Sequence, residues 1–206
     1  MRAERRFFGI LLAILALVFV WSAIHPHDRF TWYLEVFPVL IGLPLLALTY
    51  RQFPFSHLAY GLLLVHAIIL LIGGHYTYAE MPLFSWLRDV NGWDRNYYDR
   101  LGHVVQGFIP AIITREILLR TSPLRPGKWL FFLVVCVCLA ISAAYEFLEW
   151  WVALASGSDA VAFLATQGDV WDTQWDMFLA MLGAIAALLL LSGWHDRSMH
   201  KLWVNR

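Results

Sequence analysis

Asp99 and His103 stand four residues apart, Glu146 and Glu149 three apart, and Asp172 and Asp176 four apart. At those spacings each pair shares one face of a helix. Carboxylates grouped with an imidazole suit two kinds of chemistry: holding a divalent cation, which satisfies several acids at once, or passing a proton. Asp99, His103, Glu146, Glu149, Asp172 and Asp176 are therefore candidate metal ligands, and His103, Glu146 and Asp176 are also candidate catalytic acid–base groups. The densest stretch is Thr166 to Met177, where Asp169, Asp172 and Asp176 precede a long apolar run. Ionisable side chains at the edge of a membrane span are costly and commonly functional.

Each candidate also has a plainer reading. Asp169 and Asp172 suit helix capping, since a carboxylate at a helix N-terminus accepts backbone N–H bonds and meets the positive end of the dipole. That reading does not reach Asp176, one turn further in, nor Glu146 and Glu149, which fall at a helix C-terminus. His103 alone would be a packed bundle histidine; its spacing from Asp99 lifts it above that. His75, with Tyr76, Tyr78 and Glu80, is a secondary group that would close the site, whereas His57 and His66 need only packing roles.

The elements that must carry these residues cross a bilayer. The 206-residue chain is 60% hydrophobic and 15% charged, with a mean hydropathy of +0.62, too apolar for one soluble core. A hydrocarbon core of about 30 Å needs roughly 20 apolar residues from a helix. Six stretches qualify: Phe7 to Ile24, Trp32 to Tyr50, Phe55 to Gly74, Tyr98 to Leu119, Lys128 to Trp151 and Asp172 to Trp194. The expected fold class is all-α, a polytopic transmembrane helical bundle forming a single integral membrane domain over 1–206, with the polar site drawn mainly from 98–177. Pro38, Gly42 and Pro44 predict a kinked second span. The basic start and first apolar run resemble a signal peptide, but the run is long, meets Trp21 and His25-Pro26 and lacks a small-x-small cleavage site, so it reads as a retained span.

Lys and Arg give the orientation. With the N-terminus cytoplasmic, all but Arg29, Arg88, Arg95 and Arg100 fall inside, a positive-inside pattern with both termini cytoplasmic. The start of the fourth span, the end of the fifth and the start of the sixth then meet at the outer level, delivering all three pairs to one place. Crowded carboxylates need a partner, Arg100 or a divalent cation. Asp159, in the outer loop, is the acid expected to lie outside this cluster.

Trp86, Trp93, Trp150, Trp151, Trp171 and Trp175 read as an aromatic belt. Ala79 to Asn96 reads as an external loop or interfacial helix over the bundle mouth, and Ser156-Gly157-Ser158 with Ala160 to Ala165 as a short re-entrant or interfacial piece. Cys136 and Cys138 are packing residues. Arg120 to Lys128 and the tail His195 to Arg206 read as topology signals without chemistry. No phosphate-cradling loop, His-Glu-x-x-His, nucleophile elbow or nucleic-acid module occurs.

Tyr98-Asp99-Arg100-Leu101-Gly102-His103 with Gly107-Phe108, Glu146 to Trp151, and Gln167 to Met177 with Gly183 together resemble the YjdF-like bacterial inner-membrane proteins, a family of unknown function, over most of the chain. The resemblance implies a multi-pass protein of the bacterial inner membrane. More distantly, the order of Asp-basic-x-x-His, a Glu-bearing helix end and Asp-x-x-Asp resembles the VanZ-like membrane proteins, which are associated with glycopeptide resistance, although Asp176 stands where that pattern has Asn.

Three functions fit these residues: a metal-dependent or acid–base enzyme acting on envelope lipid or a lipid-linked substrate, a non-enzymatic protein that binds or moves a cation or proton, and a structural network of helix ends. Gln106, Thr114, Arg115 and Glu116 give only a sparse polar continuation inward, which favours a one-sided site. The partners expected are membrane lipids and, for the enzyme, the lipid-linked substrate; the sequence names no cofactor, and a divalent metal cation is the one the metal-dependent reading would use.

Overall fold

A computed structural model describes residues 2–156 and 164–204. Among these, the chain forms seven helices: α1 (Arg2–Ala23), α2 (Arg29–Thr49), α3 (His57–Tyr76), α4 (Pro82–Asn91), α5 (Tyr98–Thr121), α6 (Lys128–Ser156) and α7 (Asp172–Val204). Five of them, α1, α2, α3, α6 and α7, are long and apolar enough to cross a membrane. α5 falls outside that set because it carries Asp99, Arg100, His103, Arg115, Glu116 and Arg120. Its 24 residues nevertheless extend about 36 Å, and it is sheathed by α3, α6 and α7, so its polar groups face protein.

The ends of the chain decide the count. Phe8, near the start of α1, packs edge-on against Tyr50 after α2 and against Tyr60 early in α3. Ser198, late in α7, accepts a hydrogen bond from the Leu58 N–H at 3.2 Å. Both ends therefore lie at the level of the α2–α3 connection, which needs an even number of crossings and makes α5 the sixth.

Small residues let α5 and α7 approach closely. A Cβ placed on Gly107 would overlap the Ala180 carbonyl, and one on Gly183 the Val104 carbonyl, the close backbone contact that drives helix pairing in lipid. Ala111, Ala184, Ala187, Val134 and Cys138 extend this contact into a fully buried core with α6. At the outer end, α1, α2 and α3 are tied together: the Ser22 hydroxyl donates to the Leu71 carbonyl at 2.6 Å and accepts from Trp32 Nε1 at 2.8 Å. Asp28 caps α2, accepting from the Thr31 N–H at 2.6 Å, and that bond holds its carboxyl below the usual aspartate range.

α2 is one continuous helix that contains Pro38 and Pro44. α6 and α7 continue well past Trp151 and Trp194, because a helix need not stop where its side chains turn polar. α4 is the amphipathic helix expected between Ala79 and Asn96: Leu83, Trp86 and Val90 are exposed along one face, while Phe84 meets Tyr98 edge-on. Most of the proposed re-entrant piece, with Asp159, lies outside the described residues.

The tail reading is corrected at His195, which is fully buried. Arg115 Nη1 donates to His195 Nδ1 at 3.0 Å, and His195 Nε2 bonds Glu116 Oε2 at 3.0 Å. Glu116 also accepts from the Ser56 N–H and Arg120 Nη1, and Arg115 pairs with Asp196 at 2.8 Å. An arginine can only donate, so Nδ1 is the acceptor and Nε2 carries the proton. The network fastens α5, α7 and the start of α3 at the inner end, and all of its members are satisfied.

Candidate functional site

The outer ends of α5 and α7 begin side by side, so two helix dipoles point their positive ends at one spot, and acids there are favoured. Asp99, Arg100 and His103 come from the first turns of α5, and Asp172 and Asp176 from those of α7; all are buried. The turn entering α7 is itself strained: Ala165 and Gln167 adopt φ of 46° and 50°, values costly outside glycine. A reciprocal amide clamp holds it, with Gln167 Oε1 accepting from the Asn96 N–H at 2.8 Å and Gln167 Nε2 donating to the Asn96 carbonyl at 2.9 Å. Asn96 in turn donates to the Met81 carbonyl and Ser85 hydroxyl, both at 3.0 Å, which pins the start of α4 over the site.

Two guanidiniums neutralise the aspartates. Arg100 Nη2 donates to Asp172 Oδ1 at 2.6 Å and Asp169 Oδ2 at 3.0 Å, and its Nη1 pairs with Asp176. Arg95 Nη1 donates to the same Asp172 Oδ1 at 2.7 Å, and its Nη2 reaches Asp99 Oδ2 and the Ala165 carbonyl, each at 3.3 Å. Asp169 also accepts from the Trp171 N–H at 2.9 Å, so it both caps the turn and joins the ion network.

Asp99, His103 and Asp176 form the inner part of the cluster. Their ligand atoms all lie within 4.8 Å of one another. His103 Nε2 is 3.5 Å from Asp99 Oδ1 and 3.5 Å from Asp176 Oδ1, too far for a good hydrogen bond. Its other nitrogen, Nδ1, is 3.0 Å from Gln106 Oε1, so Nε2 is the ring atom that faces the two carboxylates. Such an outer-shell anchor is what a metal-ligating imidazole ordinarily has. Bonds of about 2.0–2.2 Å to a tetrahedral ion set neighbouring ligand atoms roughly 3.5 Å apart; the two His103–carboxylate separations match that spacing, while Asp176 Oδ1 also pairs with Arg100.

Glu146 and Glu149 come from α6. Glu146 is buried and its Oε1 has no hydrogen-bond partner among the described residues; His103 and Asp99 are within its electrostatic reach and Thr173 lies beside it. Glu149 is half-buried next to Glu146. The two glutamates thus lie within electrostatic reach of Asp99 and His103, while Asp172 is taken up by the arginines.

His75 is corrected: its Nδ1 lies 3.0 Å from the Ser22 carbonyl and its ring lies tilted against Trp21 with centroids 4.5 Å apart, so it serves the α1–α3 contact. Tyr78 instead enters the region, buried between Gly73 and Tyr98, where loss of water pushes its phenol well up. Three contributors escaped sequence reasoning. Arg95 read as a loop cation, Asn96 had no motif, and Glu35, buried on α2, accepts from the Tyr145 hydroxyl at 3.3 Å. A lone acid inside an apolar run was the available signal for Glu35.

Trp86, Trp93, Trp150, Trp151, Trp171 and Trp175 are all exposed around this end, as a belt requires. The profile of a family described as predicted membrane protein (DUF2238) matches residues 7–197. The chain is 49% identical over 187 residues to the inner membrane protein YjdF of Escherichia coli (strain K12), covering 91% of this chain and 90% of that protein. No solved structure matches.

Proposed function

The chain belongs to the DUF2238 family of predicted membrane proteins, and we propose that its members of this design hold a divalent cation between Asp99, His103 and Asp176 and use it on an envelope lipid or lipid-linked substrate at the outer leaflet. The membrane is the bacterial inner membrane, as for the relative that carries that name. One observation carries the reading: His103 Nε2 sits 3.5 Å from two carboxylate oxygens while Nδ1 is anchored on Gln106. The cation would polarise a phosphoryl or carbonyl oxygen, or activate a bound water. Glu146, buried with an unpartnered oxygen, is placed to take the proton from that water or to supply a fourth ligand. Amphipathic α4 and the exposed tryptophans support a site at the depth of lipid headgroups.

A second reading has its own support. Arg100 pairs with the same Asp176 oxygen that faces His103, so arginine already supplies counter-charge, and the cluster would then be a proton-sharing network. Metal analysis of the purified protein beside Asp176→Ala separates the two. One bound divalent ion per chain, lost in the variant, supports the cation. Metal-free protein that no divalent cation stabilises against heat, from mildly acidic to neutral pH, favours the proton network.

A further inference from the structure

At the opposite end of the molecule from the acid cluster, α1, α2 and α3 part. They are locked together at the outer end through Ser22, Trp32 and Leu71, and toward the basic end they enclose a cavity of about 780 Å³, within the roughly 300–1,000 Å³ of small-molecule sites. Its walls are almost wholly aliphatic at Leu11, Leu15, Leu46 and Leu64. It is open to the lipid side, since Leu12 and Leu43 on its rim are 53% and 43% exposed. It has unfilled space as well: a Cβ on Gly9 or Gly42, both lining residues, would meet nothing within 4 Å.

Depth and charge identify the occupant. From Arg5 to Leu15 on α1, and from Tyr60 to Leu70 on α3, the lining extends over eleven residues, a rise of about 15 Å from the first to the last. That is half of a hydrocarbon core of about 30 Å, the depth of one leaflet. The mouth carries Arg5, flanked by Arg2 and Arg6 in sequence and, after α2, by Arg51, against the single acid Glu4. Tyr50 and Tyr60 line the same mouth, at the level where amphipathic rings meet headgroups. His66 is the ionisable lining residue at mid-depth.

We infer that this cleft is a binding site for one anionic phospholipid of the leaflet on the basic side, with an acyl chain between α1, α2 and α3 and the headgroup phosphate beside Arg5. The surrounding arginines select for charge, and the leaflet-deep apolar groove takes the chain.

Native mass spectrometry of the full-length protein, released from detergent with phosphatidylglycerol or phosphatidylcholine added, tests it. The wild type is expected to retain one phosphatidylglycerol per chain, in preference to phosphatidylcholine by about fivefold or more, the worth of one basic residue near an anionic surface. Gly42→Phe fills the groove and should lose the retained lipid. Arg5→Glu should keep lipid but lose the headgroup preference. If Gly42→Phe fails to insert, Gly9→Leu fills the facing wall. No retained lipid in the wild type, equal retention by the groove-filling variants, equal retention of both headgroups, or a lipid-free doubled mass with a second copy covering the cleft would each overturn the inference.

Discussion

Arg100 Nη2 donates to Asp172 Oδ1 at 2.6 Å, joining the first turn of α5 to the first residue of α7 across 72 positions of sequence. With Arg95 on the same oxygen, the pair makes one buried charge network of the two helix starts. Breaking a buried pair by removing one partner costs about 3–5 kcal/mol, because the charges left behind remain out of water. Arg100→Ala is expected to lower the unfolding temperature in detergent far more than Arg88→Ala, whose pair with exposed Asp89 belongs to a class contributing about 0–1 kcal/mol. Similar losses in both would mean that Arg100 is solvated.

His195 should behave as a buried structural group. His195→Ala leaves Arg115 and Glu116 without their shared partner, an expected cost of about 3 kcal/mol or more. Asp196→Asn, at an exposed position, keeps an acceptor oxygen for Arg115 and should cost less than His195→Ala. Thermal unfolding of the two variants compares them directly.

The α5–α7 crossing predicts a steric asymmetry among glycines. Gly107→Leu must push α7 away from the Ala180 carbonyl, and overpacking of this kind costs typically about 1–3 kcal/mol, sometimes more. Gly61→Ala enters open space and should be neutral or slightly stabilising. Yield of folded, monodisperse protein after detergent extraction reports the difference, and a well-behaved Gly107→Leu would refute the close crossing.

Asp28 gives a pH dependence outside the membrane. Its folded-state carboxyl titrates below the usual value because the Thr31 N–H bonds the charged form. The cap therefore stabilises fully above the unfolded pKa near 4 and loses its contribution as pH falls through the folded value. Asp28→Ala should cost about 1 kcal/mol at neutral pH, and the gap from wild type should narrow in acid. A gap that widened as the pH fell would contradict the assignment.

Orientation can be read by labelling. Asp94→Cys, beside the acid cluster, should react with a membrane-impermeant maleimide in cells whose outer membrane alone is opened, and Arg125→Cys only after the inner membrane is breached. The reverse pattern would place the cluster on the cytoplasmic side.

Much of this molecule was legible residue by residue. Apolar runs set the spans because the bilayer demands length and hydropathy, and the three-and-four spacings of Asp99/His103, Glu146/Glu149 and Asp172/Asp176 set their faces because a helix repeats every 3.6 residues. Gly107 and Gly183 stood beside the acids in the stretches that characterise the chain, yet nothing local says that one faces the Ala180 backbone and the other that of Val104. What tertiary structure alone decided was partnership. Arg95, a loop cation by sequence, became the bridge between Asp99 and Asp172; His195, in a basic tail, became a buried link between Arg115 and Glu116; His75 turned to Ser22 and left the site. Such pairings join residues tens of positions apart, and they depend on which helices lie side by side and at what height. Local spacing carries no information about either, because the charge of a side chain is a property of the residue, whereas its counter-charge is a property of the packing.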